Sequence, residues 1–214
     1  MHAHSISMGP IEDCFRSMWP QASVFQVLDS SLYADLGAAG GLTDALAQRC
    51  HALARYCVGA GADAVVFTGS AFSPAVDAAQ AEHAVPILKP NEALYDEIGR
   101  FEGPVALLTT FEPTLTLMQR ELQEHSLRVD RALDVRPHMV EHAFDAALDL
   151  RQDEHDARVV DAATRYADCS AIAFVQVSMT RAAPRVRDAV TIPVLTSPEC
   201  TVRRLMRMFD AART

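Results

Sequence analysis

AVVFTGSAFSPAVDAAQAEHAVPILKPNE, residues 64–92, returns later in the chain as AIAFVQVSMTRAAPRVRDAVTIPVLTSPE, residues 171–199. The two copies align without a gap at an offset of 107 residues, half of the 214-residue chain. Six positions are identical: Ala64 and Ala171, Phe67 and Phe174, Ala75 and Ala182, Pro86 and Pro193, Leu88 and Leu195, Glu92 and Glu199. Other positions keep their chemical class, such as Val65/Ile172, Phe72/Met179 and Ser73/Thr180. A repeat at fixed spacing outranks local propensity in the choice of a fold. The chain reads as two similar halves, each with an apolar strand that ends in a turn of small polar residues.

Outward from these copies, strands alternate with helices. Pro10 opens a helix over 10–18, and VFQVLD (24–29) reads as a short strand. Leu42, Leu46, Cys50, Leu53 and Cys57 fall at helical spacing, and GAGAD (59–63) ends that helix on glycine. AVVF (64–67) is a buried strand, FSPAVDAAQAEHA begins a helix, PILK (86–89) is a strand and NEALYDEIG a helix. The pattern then restarts with the strand VALLTTF (105–111), the helix PTLTLMQRELQEH and a strand within RVDRALDV (128–135). Residues 138–167 read as mostly helical. They precede the strand AIAFVQ (171–176), a helix near 181–189, the strand PVLT (193–196) and a last helix near 199–212. This alternation predicts an α/β fold with parallel sheets, in which ligands bind at the carboxyl ends of strands. One strand is incomplete. The offset places the first-half partner of VALLTTF at about −2 to 4, so the sequence is expected to start a few residues downstream of the natural beginning.

Composition narrows the partners. Nineteen Lys and Arg stand against 28 Asp and Glu, a formal charge of −9. That disfavours nucleic acid and anionic membrane surfaces, while leaving room for a small anion at one local site. No apolar run reaches the roughly 18 residues that a membrane span needs. The amino-terminal stretch MHAHSISMGPIEDCF is no secretory signal. Five cysteines without a CxxC suit free thiols in a reducing cytosol, so a cytoplasmic location is expected.

Several motifs have plain readings. GAAGG (37–41) is a turn before a helix. HMVEH (138–142) matches the inverted zinc-protease pattern; on a helix His138 and His142 would share a face and Glu141 could act as base, giving a metal hydrolase as one alternative. A solvated helix face is the other reading. The run DLRQDEHD (149–156) reads as a solvated, charged stretch of helix. The turns after the repeated strands are Thr68-Gly69-Ser70-Ala71 and Val175-Gln176-Val177-Ser178. Each places N–H groups and hydroxyls at a helix start, which favours an anion such as a carboxylate; helix capping is the structural alternative.

The duplicated layout, the FTGSAF and FVQVSM turns, and the PILKPNEA and PVLTSPE segments resemble the Asp/Glu/hydantoin racemase superfamily over nearly the whole chain. That superfamily includes racemases, maleate isomerases and arylmalonate decarboxylases. The resemblance implies two Rossmann-like lobes related by a pseudo-twofold, residues 1–88 plus 198–214 and residues 89–197, with a ligand cleft between them. It implies a homodimer and no cofactor or metal. In the racemases a cysteine follows each repeated strand, and the two thiols serve opposite faces of an α-carbon, because inversion needs proton transfer on both. Here those positions are Gly69 and Gln176, and neither residue is a base. Arylmalonate decarboxylases resemble the chain at the first position, where they carry glycine, but they keep the second cysteine. Relatives of the FTGSAF type carry cysteine where Gly69 stands, which makes Gly69 a loss or an engineered change.

The expected ligand is a small carboxylate or a related enolisable acid. Gly69, Ser70 and Ala71 would hold it through N–H groups and the Ser70 hydroxyl, with Thr68 beside them. Thr109, Thr110, Gln176, Val177 and Ser178 would be the contribution of the second half. The expected function is that of an isomerase or decarboxylase-like lyase with both cysteines replaced. A catalytically degenerate binding protein on the same fold is the alternative.

Overall fold

Each repeated strand is followed by a tight turn and a helix, and the pairing of all the ladders is parallel. The computed structural model describes residues 1–211. The chain divides into two units, Met1–Glu92 and Ala93–Thr214.

In the first unit, α1 (Met8–Met18), α2 (Leu32–Ala39) and α3 (Asp44–Gly59) precede β1 (Val65–Val66), α4 (Ser73–Glu82) and β2 (Ile87–Leu88). The Thr43 hydroxyl caps α3 by accepting the Leu46 N–H at 3.3 Å. Leu46, Cys50 and Ala54, spaced four apart, turn into the core with Val65, Phe67, Phe72 and Val76. β1 pairs with β2 in register Val65↔Ile87 and Val66↔Leu88.

In the second unit, α5 (Glu92–Ile98) leads to β3 (Val105–Thr109), α6 (Glu112–Val129), β4 (Val135–Met139), α7 (Ala143–Leu148) and α8 (Gln152–Thr164). Then come β5 (Ala171–Phe174), α9 (Ala183–Ala189), β6 (Val194–Thr196) and α10 (Ser197–Ala211). The sheet order is β4-β3-β5-β6. Both faces are covered, which is why VALLT and AIAF are apolar without alternation. Ala106, Leu108, Ile172 and Phe174 meet the α8–α9 side. Val105, Leu107, Ala171 and Ala173 meet α5, α6 and Cys200 of α10.

The repeat extends to backbone hydrogen bonds inside each unit. Val65 N–H donates to Pro86 O at 2.8 Å, and Ile172 N–H to Pro193 O at 2.9 Å. Phe72 N–H donates to Gly69 O and Met179 N–H to Gln176 O, both at 3.1 Å. Thr68 N–H reaches Met1 O at 3.0 Å, and Val175 N–H reaches Leu108 O at 3.3 Å. Residues 1–3 thus lie along β1 where β3 lies along β5.

Several expectations are corrected. Residues 24–29 form no ladder strand. A single parallel bridge, His2↔Leu28, ties them, and the stretch beside them passes at once into the 3₁₀ helix Ser5–Ser7. The strand sought within 128–135 begins at Val135: α6 continues to Val129, and Asp130 caps it in the left-handed region with φ 49°. HMVEH is not helical. His138 lies in β4, an edge strand that tolerates Pro137, and His142 has φ 61°. His138 and His142 therefore do not share a helix face, and among the described residues no group of three or more His, Cys, Asp or Glu could hold a metal ion. α2 had no periodic signal; Gly37 lies inside it, while Gly40 (φ 71°) and Gly41 (φ 151°) make the turn.

α10 groups with the second unit, where Arg204 pairs with Asp96 and Arg207 with Glu97, each at 3.0 Å. The assignment of 198–214 to the first lobe is what the family resemblance implies, and of these, residues 212–214 lie outside the described residues. No helix among the described residues is long and apolar enough to cross a membrane.

Candidate functional site

In the second unit the chain leaves β3 through α6 toward β4 on one side and leaves β5 through α9 toward β6 on the other. The point where the strand order reverses therefore falls between β3 and β5, and crevices outside the carboxyl ends of such strands are where open α/β sheets bind ligands. Thr109, Thr110 and Gln176 stand at that edge. The Gln176 side-chain oxygen accepts three hydrogen bonds there: from Thr109 Oγ1 at 2.8 Å, Thr110 Oγ1 at 3.0 Å and the Thr110 N–H at 2.5 Å. A backbone N–H can only donate, so the oxygen and not the nitrogen of the amide must face it. Gln176 Nε2 has no hydrogen-bond partner among the described residues, and the Gln176 side chain is half-buried. The arrangement presents a fixed amide donor at the strand ends.

Thr109 and Thr110 are buried with their hydroxyls on Gln176, and Phe111 O stands as a second acceptor for Thr109 Oγ1 at 3.3 Å. Val177 is buried in the 3₁₀ turn Val177–Ala182 that leads into α9. Ser178 is half-buried in the same turn, and its hydroxyl has no partner among the described residues.

The first unit repeats this edge with other side chains. The 3₁₀ turn Ser70–Phe72 runs into α4. The first N–H groups of such a turn, those of Ser70 and Ala71, have no acceptor within it. The Ser70 hydroxyl also has no partner among the described residues. Thr68 Oγ1 meets His2 Nδ1 at 2.9 Å. Burial, and secondarily the amino terminus beside it, hold the His2 imidazole down at about 4. His2 went unremarked in the sequence. The offset that relates the halves pairs it with Thr109, and this was the signal that could have found it.

Gly69 has φ −103° and ψ 96°, extended backbone that any residue adopts. What glycine supplies there is room. A Cβ at position 69 would stand 3.0 Å from Phe67 Cε1, 3.1 Å from Phe72 Cδ2 and 3.3 Å from Ala3 Cβ. No thiol occupies either turn. Cys50 and Cys200 lie elsewhere, and burial pushes them up to about 11 and about 12. The charged run at 149–156 is not wholly solvated either: His155 and Asp156 are 1% and 2% exposed.

With this geometry in place, the chain can be set beside known proteins. The family model described as Asp/Glu/Hydantoin racemase matches residues 11–202. No curated protein matches the sequence. Among solved structures, allantoin racemase from Klebsiella pneumoniae superposes with TM-score 0.74 at 15% identity, covering 99% of this chain and 85% of that one. Glutamate racemase from Francisella tularensis subsp. tularensis, in complex with D-glutamate, gives TM-score 0.67 at 12% identity, with 100% and 80% covered. Unliganded arylmalonate decarboxylase gives TM-score 0.53 at 16% identity, with 78% and 74% covered. At these identities the likeness is one of fold.

Proposed function

Because the chain belongs to the Asp/Glu/hydantoin racemase family, we propose that it binds a small carboxylate, or a related enolisable acid, at the carboxyl ends of its strands. The reaction class is that of a decarboxylase-like lyase or an isomerase working without a pair of thiols. The observation that supports this reading best is Gln176, whose oxygen is held by Thr109 and Thr110 and whose Nε2 is left to donate. A preorganised donor of this kind stabilises negative charge that develops on a carboxylate-derived enediolate. In the first unit the N–H groups of Ser70 and Ala71 and the Ser70 hydroxyl offer the same chemistry, with Thr68 and Gly69 shaping the turn. Loss of carbon dioxide needs no base if the enediolate is stabilised and a proton is supplied afterwards. The protein is expected to act as a homodimer in the cytoplasm and without a cofactor.

A binding protein without turnover is the second reading. It is favoured by the residues at 69 and 176, neither of which transfers protons. The deciding experiment is turnover of phenylmalonate, maleate and L-glutamate, run beside thermal-shift binding of the same compounds. Turnover that falls in Gln176→Leu supports the lyase or isomerase. Binding without turnover supports the second reading. Neither binding nor turnover, with the protein folded, would refute the carboxylate site.

A further inference from the structure

α7 buries its small side chains and shows its large ones. Ala143, Ala146 and Ala147 are buried, while Phe144 is half-buried and Leu148, four residues on along the same face, is exposed. A surface helix ordinarily turns its larger apolar side chains to the core. His142 and Leu150 bracket α7 in the left-handed region, with φ 61° and 60°. That conformation is unfavourable for a bulky side chain, and such strain collects where a protein clamps a ligand.

Phe144 has an aromatic partner. Its ring centroid lies 4.6 Å from that of Phe111, also half-buried, with the two planes 34° apart. Among the described residues, neither ring packs into the two clusters that line the faces of the sheet. Both rings are instead rooted at its carboxyl edge. Phe111 directly follows Thr110, whose N–H is bonded to Gln176, so its Cα lies about 3.8 Å from that of Thr110. Phe144 comes four residues after Val140, whose N–H donates to Thr109 O at 2.7 Å. The ring pair sits where the chain returns from β4, and Gln176 where it leaves β5. β3, whose end carries Thr109 and Thr110, lies between them. The sequence neighbours of the rings, Glu112 and Asp145, are acidic and exposed, so this place disfavours a second carboxylate.

We propose that Phe111 and Phe144 set the specificity of the carboxylate site: they receive the substituent of the bound acid, which is large, apolar and uncharged, such as an aryl or branched alkyl group. Gln176 holds the carboxylate, and the rings hold what the α-carbon carries. Offset aromatic faces favour an aryl group beyond the area it buries. A hydrophobic surface sorts ligands by affinity, so small polar acids bind there more weakly and are not shut out.

This inference rests on the carboxylate reading above, and its test separates the two. Malonate and phenylmalonate differ only by the phenyl group, and titration calorimetry gives the dissociation constant of each. The wild type is expected to bind phenylmalonate about 10-fold more tightly, the lower end of what a hydrophobic contact discriminates. In Phe111→Ala and in Phe144→Ala the ratio should fall toward one. Phe144→Leu, which keeps apolar bulk, should restore most of it. Equal binding of the two acids by the wild type, or a ratio that survives in both folded alanine variants, overturns the proposal and leaves the carboxylate reading standing. Nuclear Overhauser contacts from bound phenylmalonate to the rings of Phe111 and Phe144 in the wild type decide the matter if an alanine variant does not fold. If the wild type binds neither acid, the carboxylate reading fails for these probes, and benzyl alcohol, which carries the ring without the charge, takes their place. Contacts from its ring to Phe111 and Phe144 keep the apolar site, and their absence overturns it.

Discussion

The Thr110 N–H donates to the Gln176 side-chain oxygen across 2.5 Å, joining the ends of two adjacent parallel strands. This bond fixes which end of the amide faces outward. Replacing Gln176 by leucine leaves the Thr110 N–H and the Thr110 hydroxyl without their acceptor in a buried place, while the Thr109 hydroxyl keeps Phe111 O at 3.3 Å. Such a loss costs about 1–3 kcal/mol. Urea unfolding should show a lower midpoint with an unchanged slope. An unchanged midpoint would mean that the bond contributes nothing to the fold.

Gly69→Cys tests the first turn. The φ of −103° removes backbone strain as an obstacle. The new Cβ crowds Phe67, Phe72 and Ala3, and overpacking of this kind costs about 1–3 kcal/mol. A folded variant should carry a thiol at the start of a helix, where the thiolate is favoured. Iodoacetamide should label it faster than the native cysteines, since Cys50, Cys57, Cys169 and Cys200 are all pushed up by burial. Mass spectrometry of the labelled peptides reads the order, and slow labelling of the introduced thiol would remove position 69 from the site.

Neither aspartate nor glutamate nor a hydantoin should be racemised. Inversion needs acid–base groups on two opposed faces, and neither Gly69 nor Gln176 is one. Chiral chromatography after long incubation should return a single enantiomer. Racemate formed in proportion to enzyme would show that a second group serves the other face.

His2 makes stability depend on pH. Its imidazole is held at about 4 when folded, against 6.5 for an unperturbed histidine. Between these values the unfolded chain binds a proton that the folded chain refuses, so stability rises with pH. The contribution is complete above about 6.5 and is lost as pH falls toward 4. The melting temperature of the wild type should fall more steeply over that window than that of His2→Asn. Parallel curves would assign the acid sensitivity to other groups.

Much of the fold was legible because fully buried strands read as short apolar runs, as in VALLTTF and AIAFVQ. The repeat then fixed which turns correspond. What failed was set by partners distant in sequence. Residues 24–29 have strand composition, but the stretch beside them passes into the 3₁₀ helix Ser5–Ser7 and makes one bridge, His2↔Leu28. Pro137 and an edge position turn HMVEH away from a helix. His155 and Asp156 sit in a run that looks solvated, and their burial depends on Arg181 of a later turn. At the site, Thr109, Thr110 and Gln176 were each expected, but their mutual bonds follow from the adjacency of β3 and β5, which sequence order does not display.

The saturated oxygen of Gln176 has a consequence for discrimination between ligands. With its acceptor capacity spent on the two threonines, the side chain greets a ligand with hydrogens only. If the proposed site holds a ligand, an oxyanion or a carbonyl would be welcome there, and an ammonium group would find nothing on this side chain to bind. An α-amino acid would have to turn its nitrogen away, whereas an acid bearing carbon or oxygen in that place meets no such penalty. On the proposed carboxylate reading, the threonines would thereby act on selectivity by charge sign without touching the ligand themselves.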